Sequence, residues 1–234
     1  MNLLVLHEDT DLLAINKPAG LVCHGGRDGD HSSLIGRVRM YLGHAEGRLV
    51  NRLDRETSGV VLIAKDAGAA SELGKLFGAN VISKRYWAIV HGHLAMPQVT
   101  IDAPLGRDES SAVAIKDCVR DDGARATTVV TSLKAFRRDD HPYSWVEAVP
   151  RSGRKHQIRI HLAHIGHPIV GDKIYGGDEQ RYLRFVTKTM TSEDWHALKA
   201  THHALHAREL AFTWRQRDWR FEADPEPDFQ AWLD

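Results

Sequence analysis

Hydrophobic and polar positions alternate in short blocks along this chain, and the blocks change period several times. Residues 3–6 and 12–16 are apolar runs on either side of the polar turn Glu8-Asp9-Thr10-Asp11, the pattern of a β-hairpin. Lys17-Pro18-Ala19-Gly20 then interrupts the pattern, since proline has no N–H for a ladder and glycine admits positive φ. Residues 32–42 follow helical spacing. Ser32 or Ser33 is the candidate N-cap, Leu34, Ile35, Val38 and Leu42 form the apolar face, and Gly43 is the stop. Residues 59–64 read as a short buried strand, and residues 67–77 as a helix capped by Asp66. Further strands are expected at 85–90, 127–136 and 144–149, the last two joined by a polar turn at 137–142. Ile158, Leu162 and Ile165 fall at i, i+4, i+7, which predicts a helix over 156–165 ended by Gly166. Residues 182–187 and 193–199 carry less marked segments. A last strand is expected at 205–214, followed by a polar terminus at 224–228. The fold class is α+β: a mixed, mostly antiparallel sheet with flanking helices. With no repeat, low-complexity stretch or Pro/Gly/Ser-rich linker, residues 1–234 are expected to form a single domain.

Composition narrows this picture. Hydrophobic residues make up 42% and charged residues 26% of the 234, which excludes a disordered, collagen-like or coiled-coil chain. The longest aliphatic run, residues 60–64, is far too short to span a membrane. The first residues lack the basic and apolar segments of a signal peptide, and two cysteines are too few for a disulfide framework, so a reducing cytoplasm is the expected compartment. Lys plus Arg equals Asp plus Glu, 31 each, so a polyanionic partner would need a local basic surface.

Three segments carry candidate chemistry. In Asn51-Arg52-Leu53-Asp54-Arg55-Glu56-Thr57-Ser58-Gly59, extended backbone would place Arg52 and Asp54 on one face and Leu53 on the other. That is either a surface ion pair beside a turn or a carboxylate at the rim of a cleft. The segment 151–161 holds Arg151, Arg154, Lys155, Arg159 and two histidines, with no acid, at a helix start. Cations there oppose the helix dipole, so the segment is either a solvated basic loop or, the favoured reading, a phosphate-binding site. In Lys84-Arg85-Tyr86-Trp87, Tyr86 opens a strand, a place suited to core packing and also to a ring exposed in a cleft. The fifteen histidines form no His-Glu-x-x-His pattern and have no cysteine pair beside them, so no metal is expected. P-loop, dinucleotide-fold and Gly-x-Ser-x-Gly patterns are missing as well.

Taken in order, Asn16-Lys17-Pro18-Ala19-Gly20, the Arg52–Val60 stretch, Lys84-Arg85-Tyr86, the stretch from Gly153 to Leu162, the stretch from Gly166 to Asp172, and Leu205-His206-Ala207 resemble the RluA-like pseudouridine synthases across almost the whole chain. The resemblance implies a sheet crossed by a central active-site cleft. It also implies isomerisation of a uridine in rRNA or tRNA, with no cofactor and no metal. By matching position, Asp54 is the essential carboxylate, Arg159 keeps it ionised, and Tyr86 stacks beneath the base and moves a proton. Ile158 packs against the base or the tyrosine. Arg52 fills the gap left by the flipped nucleotide, and Arg154 and Lys155 contact phosphates. Asn51 departs from the pattern, since the family usually has histidine there. The S4-type RNA-binding domain of many relatives is not expected, because the catalytic pattern begins at residue 3. Residues 178–203 read as a family-variable insertion. A monomer that binds RNA and no membrane is expected. The alternatives are a catalytically silent RNA-binding module on the same fold and, from the histidines alone, an unrelated metallohydrolase.

Overall fold

A computed structural model describes residues 3–25, 30–43 and 46–233. The elements in chain order are β1 (Leu4–Glu8), β2 (Leu12–Lys17), α1 (Leu34–Leu42), β3 (Arg48–Leu49), β4 (Ser58–Ala64), α2 (Ala67–Gly78), β5 (Ser83–His91), β6 (Gln98–Asp102), β7 (Leu105–Arg107), β8 (Asp117–Val119), β9 (Thr127–Arg138), β10 (His141–Pro150), α3 (Gln157–His164), α4 (Gln180–Thr187), α5 (Ser192–Leu198), β11 (Leu205–Trp214), β12 (Arg217–Glu222) and α6 (Pro227–Gln230). The class is the expected α+β with mostly antiparallel strand pairs; the parallel pairing of β4 with β11 makes it mixed. The chain divides into two compact units, one running to Tyr86 and resuming over His206–Trp232, the other Trp87–Leu205. Among the described residues, no helix is long and apolar enough to cross a membrane.

In the first unit the strands run β1-β2-β4-β11, with β12 on β11 and β3 on part of β4. The β1–β2 turn is set by Asp9, whose carboxylate accepts the N–H groups of Asp11 and Leu12 at 2.9 and 2.8 Å. Every residue of β2 and β4 is buried. The reason is that both faces of this sheet are covered. Leu13, Ile15, Val61 and Ile63 pack with Leu34 and Val38 of α1, while Leu12, Ala14, Val60 and Leu62 pack with Ala69 and Leu73 of α2. Alternate side chains thus enter two separate cores, which is why these strands read as continuous apolar runs. Ser33 caps α1 by accepting the Gly36 N–H, and Asp66 caps α2 by accepting those of Gly68 and Ala69. Ser32 belongs to a short 3₁₀ turn before α1 instead.

In the second unit β10 lies against β9, and β9 against β6. The β9–β10 turn is tighter than the polar stretch 137–142 implies. Pro142 already pairs with Arg137, and the turn is Asp139-Asp140, both at positive φ (47° and 61°), a conformation aspartate tolerates better than most residues. The small β7–β8 hairpin packs Leu105 and Val119 against Ile160 of α3 and Tyr175. Neither β6, β7, β8 nor β12 is expected from periodicity. The β11–β12 turn uses Arg215 and Gln216 at positive φ, residues that give no turn signal. The terminus is not simply polar either: α6 forms at Pro227–Gln230, and Phe229 and Trp232 are buried.

Candidate active site

Asp54 lies on the loop between β3 and β4, in the first unit. The local alternation is as expected: Arg52 is exposed, Leu53 buried and Asp54 half-buried. The Asp54 carbonyl accepts the Thr57 N–H at 3.2 Å, so Asp54-Arg55-Glu56-Thr57 is a turn that delivers the chain into β4. Three side chains grip the loop from below. The Cys23 thiol is buried and spans both backbone groups of Leu53, accepting its N–H and donating to its carbonyl at 3.4 Å each. The Lys17 ammonium, fully buried, donates to the carbonyls of Pro18, Leu21 and Arg55 at 2.8, 2.9 and 3.1 Å. Asn51 bonds the backbone of β4 through both ends of its amide. Arg55 in turn donates from Nε to the Gly20 carbonyl at 3.1 Å. The Lys17–Gly20 turn is thus tied to the Asp54 loop at two points, the Lys17 ammonium and the Gly20 carbonyl.

Burial pushes the Lys17 amine down to about 8, opposed by the negative charges of Glu226 and Asp54. Burial likewise pushes the Cys23 thiol up, so at neutral pH it is a hydrogen-bonding thiol and no thiolate. Tyr86 packs on the same core as Leu53 and Cys23. Its phenol is pushed well above the ordinary tyrosine value, first by burial and then by the negative charge of Asp54. Asp54 and Tyr86 belong to the same unit, and the Asp54 charge acts on the Tyr86 hydroxyl.

Behind this loop, His206 begins the β4–β11 contact. Its Nε2 bonds the Ala223 carbonyl at 2.8 Å and its Nδ1 faces the Ser58 hydroxyl at 2.9 Å, in a fully buried site. A carbonyl only accepts, so Nε2 carries the proton and Ser58 donates to Nδ1. Burial pushes this imidazole down to about 4. Gly59 sits opposite Ala207 at φ +112°, where a Cβ would come within 2.2 Å of the Ala207 carbonyl oxygen.

In the second unit, Arg159 and Ile158 lie in the first turn of α3, both buried. The guanidinium of Arg159 grips Asp172 side-on, Nε to Oδ2 at 2.6 Å and Nη2 to Oδ1 at 2.8 Å. Asp172 also accepts the N–H groups of Ile174 and Tyr175 at 2.9 and 3.0 Å. Burial would raise this carboxyl, but the Arg159 charge and hydrogen bonds outweigh it and hold it far below the usual range. The Tyr175 ring lies 5.1 Å from the guanidinium carbon, and its hydroxyl pairs with His156 at 2.9 Å.

The basic segment at the head of α3 has acidic partners. Its positive charge is offset in part from within the protein, by Asp172 on Arg159 and by Asp117 on Lys155 at 2.9 Å. These acids stand outside residues 151–161, so carboxylates from elsewhere in the chain compensate part of the charge at the helix start. Arg154 and Lys155 are exposed, and Arg154 donates to the Arg125 carbonyl at 3.3 Å. Sequence reasoning missed Cys23, His206 and the role of Asp172. The family-like stretches ending at Asp172 and around His206 carry the available signal for those two residues, while Cys23 has none. Among the described residues no group of three His, Cys, Asp or Glu side chains is placed to hold a metal ion.

Residues 11–164 match the family model for RNA pseudouridylate synthase, and the chain belongs to that family, in its RluA-like branch. It is 34% identical over 177 residues to the dual-specificity RNA pseudouridine synthase RluA of Vibrio parahaemolyticus, covering 76% of this chain and 70% of that one. It is 36% identical over 213 residues to the ribosomal large subunit pseudouridine synthase D of Xanthomonas campestris, covering 89% of this chain but only 61% of that one. Among solved structures it superposes on human RNA pseudouridylate synthase domain containing 4 with a TM-score of 0.75 and 27% identity, covering 98% of this chain and 91% of that chain.

Proposed function

We propose that this protein isomerises a uridine in structured RNA, ribosomal or transfer, to pseudouridine, with Asp54 as the essential carboxylate. The observation that carries the reading is the Asp54 loop itself: a carboxylate between two backbone-clamped neighbours, with Tyr86 in electrostatic reach. The reaction breaks the C1′–N1 glycosidic bond and forms C1′–C5. The proton on C5 leaves, N1 gains one, and no atom enters or departs overall. Such a reaction needs a positioned anion and a proton carrier, and the reading requires no cofactor. Asp54 attacks the ribose or the base. Tyr86 stacks beneath the uracil and moves a proton; its high phenol pKa suits a group that stays protonated until called on.

Arg159, whose guanidinium plane is fixed by Asp172, is assigned to keep Asp54 ionised. Ile158 packs against the base or the tyrosine. Flipping a uridine out of its stack costs a few kcal/mol. The exposed Arg52 is assigned to fill the gap, as a planar cation able to stack. Arg154 and Lys155, exposed on the helix approach, contact phosphates. In this reading residues 1–234 form one catalytic domain, and the protein is a cytoplasmic monomer.

The test is Asp54→Asn, assayed on RNA from cells lacking the enzyme by carbodiimide labelling and primer extension. Activity should fall by about 10²-fold or more. A variant with wild-type activity would overturn the proposal.

A further inference from the structure

The edge of β4 that faces away from β2 is covered in successive pieces. At its start, Ser58 and Gly59 pair with His206 and Ala207 of β11. At its end, Ile63 and Ala64 pair with Leu49 and Arg48 of β3, and the Leu62 carbonyl accepts the Val50 N–H at 2.9 Å. The stretch between is taken by a side chain. Asn51 donates from Nδ2 to the Val60 carbonyl at 3.2 Å and accepts the Leu62 N–H on Oδ1 at 2.8 Å. A carboxamide offers its donor and acceptor side by side from one carbon, as the edge of a peptide group does. The two nitrogens of an imidazole diverge across the ring, so histidine at this place can hold only one of these two backbone groups.

We infer that Asn51 is a positioning residue for Asp54. Its amide continues the β3–β4 ladder one step beyond the point where the main chain leaves β4, and so fixes where the Asp54 loop begins. Asp54 follows Asn51 by only three positions, a span of at most about 11 Å. Leu53 is held by Cys23, and Arg55 by Lys17, so alternate residues 51, 53 and 55 are all anchored. Loss of the first anchor shifts the origin of the whole loop. The inference rests on the reading of Asp54 as the essential carboxylate.

The experiment compares wild type with Asn51→Ala, Asn51→His and Asp54→Asn in the full chain, at a temperature where melts show each fully folded. Single-turnover rate, RNA affinity and exchange of the Leu62 amide proton are measured. Asn51→Ala should lower the single-turnover rate about tenfold, as a displacement of a fraction of an ångström at the reacting group would. RNA affinity should stay within about twofold, because the phosphate contacts assigned to Arg154 and Lys155 lie outside this loop. The Leu62 amide should exchange faster, and Asn51→His, keeping one bond, should recover part of the rate. A wild-type rate in Asn51→Ala would overturn the inference, as would a histidine variant no faster than alanine. If Asp54→Asn itself stays active, the functional reading fails; if it is inactive while Asn51→Ala matches wild type, only the positioning role fails.

Discussion

Replacing Asp172 tests whether the buried Arg159–Asp172 pair is what sets the guanidinium at the head of α3. The two side chains are 6% and 0% exposed and joined at 2.6 and 2.8 Å, so neither charge has much water to turn to. Asp172→Asn keeps the shape but places an amide opposite a buried cation. Breaking one side of such a pair costs about 3–5 kcal/mol, because the remaining charge loses the carboxylate that offsets it. Asp172→Ala should cost at least as much, since the N–H groups of Ile174 and Tyr175 lose their acceptor too. At roughly 2–4 °C per kcal/mol for a chain of this size, melting should fall by about 6–20 °C. The double variant Arg159→Met/Asp172→Leu removes both charges and should be more stable than either single variant. Urea unfolding and thermal melts of wild type, Arg159→Met, Asp172→Leu and the double variant form a complete cycle. Asp172→Asn within about 1 kcal/mol of wild type, or strictly additive single and double effects, would refute the reasoning.

Two further outcomes follow from the first unit. His206 stays neutral in the fold down to about pH 4, whereas an unfolded histidine protonates near 6.5. The unfolded state therefore binds more protons across that window, and stability falls as the pH drops through it, by about 3 kcal/mol in all. His206→Gln should lose this part of the acid sensitivity, which denaturant titrations at pH 7 and pH 4 measure; an unchanged difference between the two pH values counts against it. Gly59→Ala should destabilise by about 3 kcal/mol or more, because the new Cβ meets Ala207 backbone and φ is +112°. A denaturation midpoint equal to wild type would show that β4 and β11 are not held so close.

Several elements are written locally in this sequence. Asp9, Ser33 and Asp66 act on backbone N–H groups two or three residues away, so turn and caps follow from the adjacent residues. The apolar runs of β2 and β4 have the composition of strands buried on both faces, whatever covers them. Asp54 and Tyr86 stand out as candidates because their family-like motifs are short and contiguous. What covers each face, and what balances each charge, depended on tertiary structure. Lys17 and Cys23 reach Arg55 and Leu53, 38 and 30 residues on, and His206 meets Ser58 across 148. The acids that temper the basic segment, Asp117 and Asp172, stand outside it. The turns at Asp139-Asp140 and Arg215-Gln216 bend through positive φ without glycine, held by the pairing of the strands they join. A sequence fixes the propensities of neighbours a few residues apart. Hydrogen bonds and ion pairs between distant residues form only once the chain has folded, and here they decide how firmly the carboxylate loop is held.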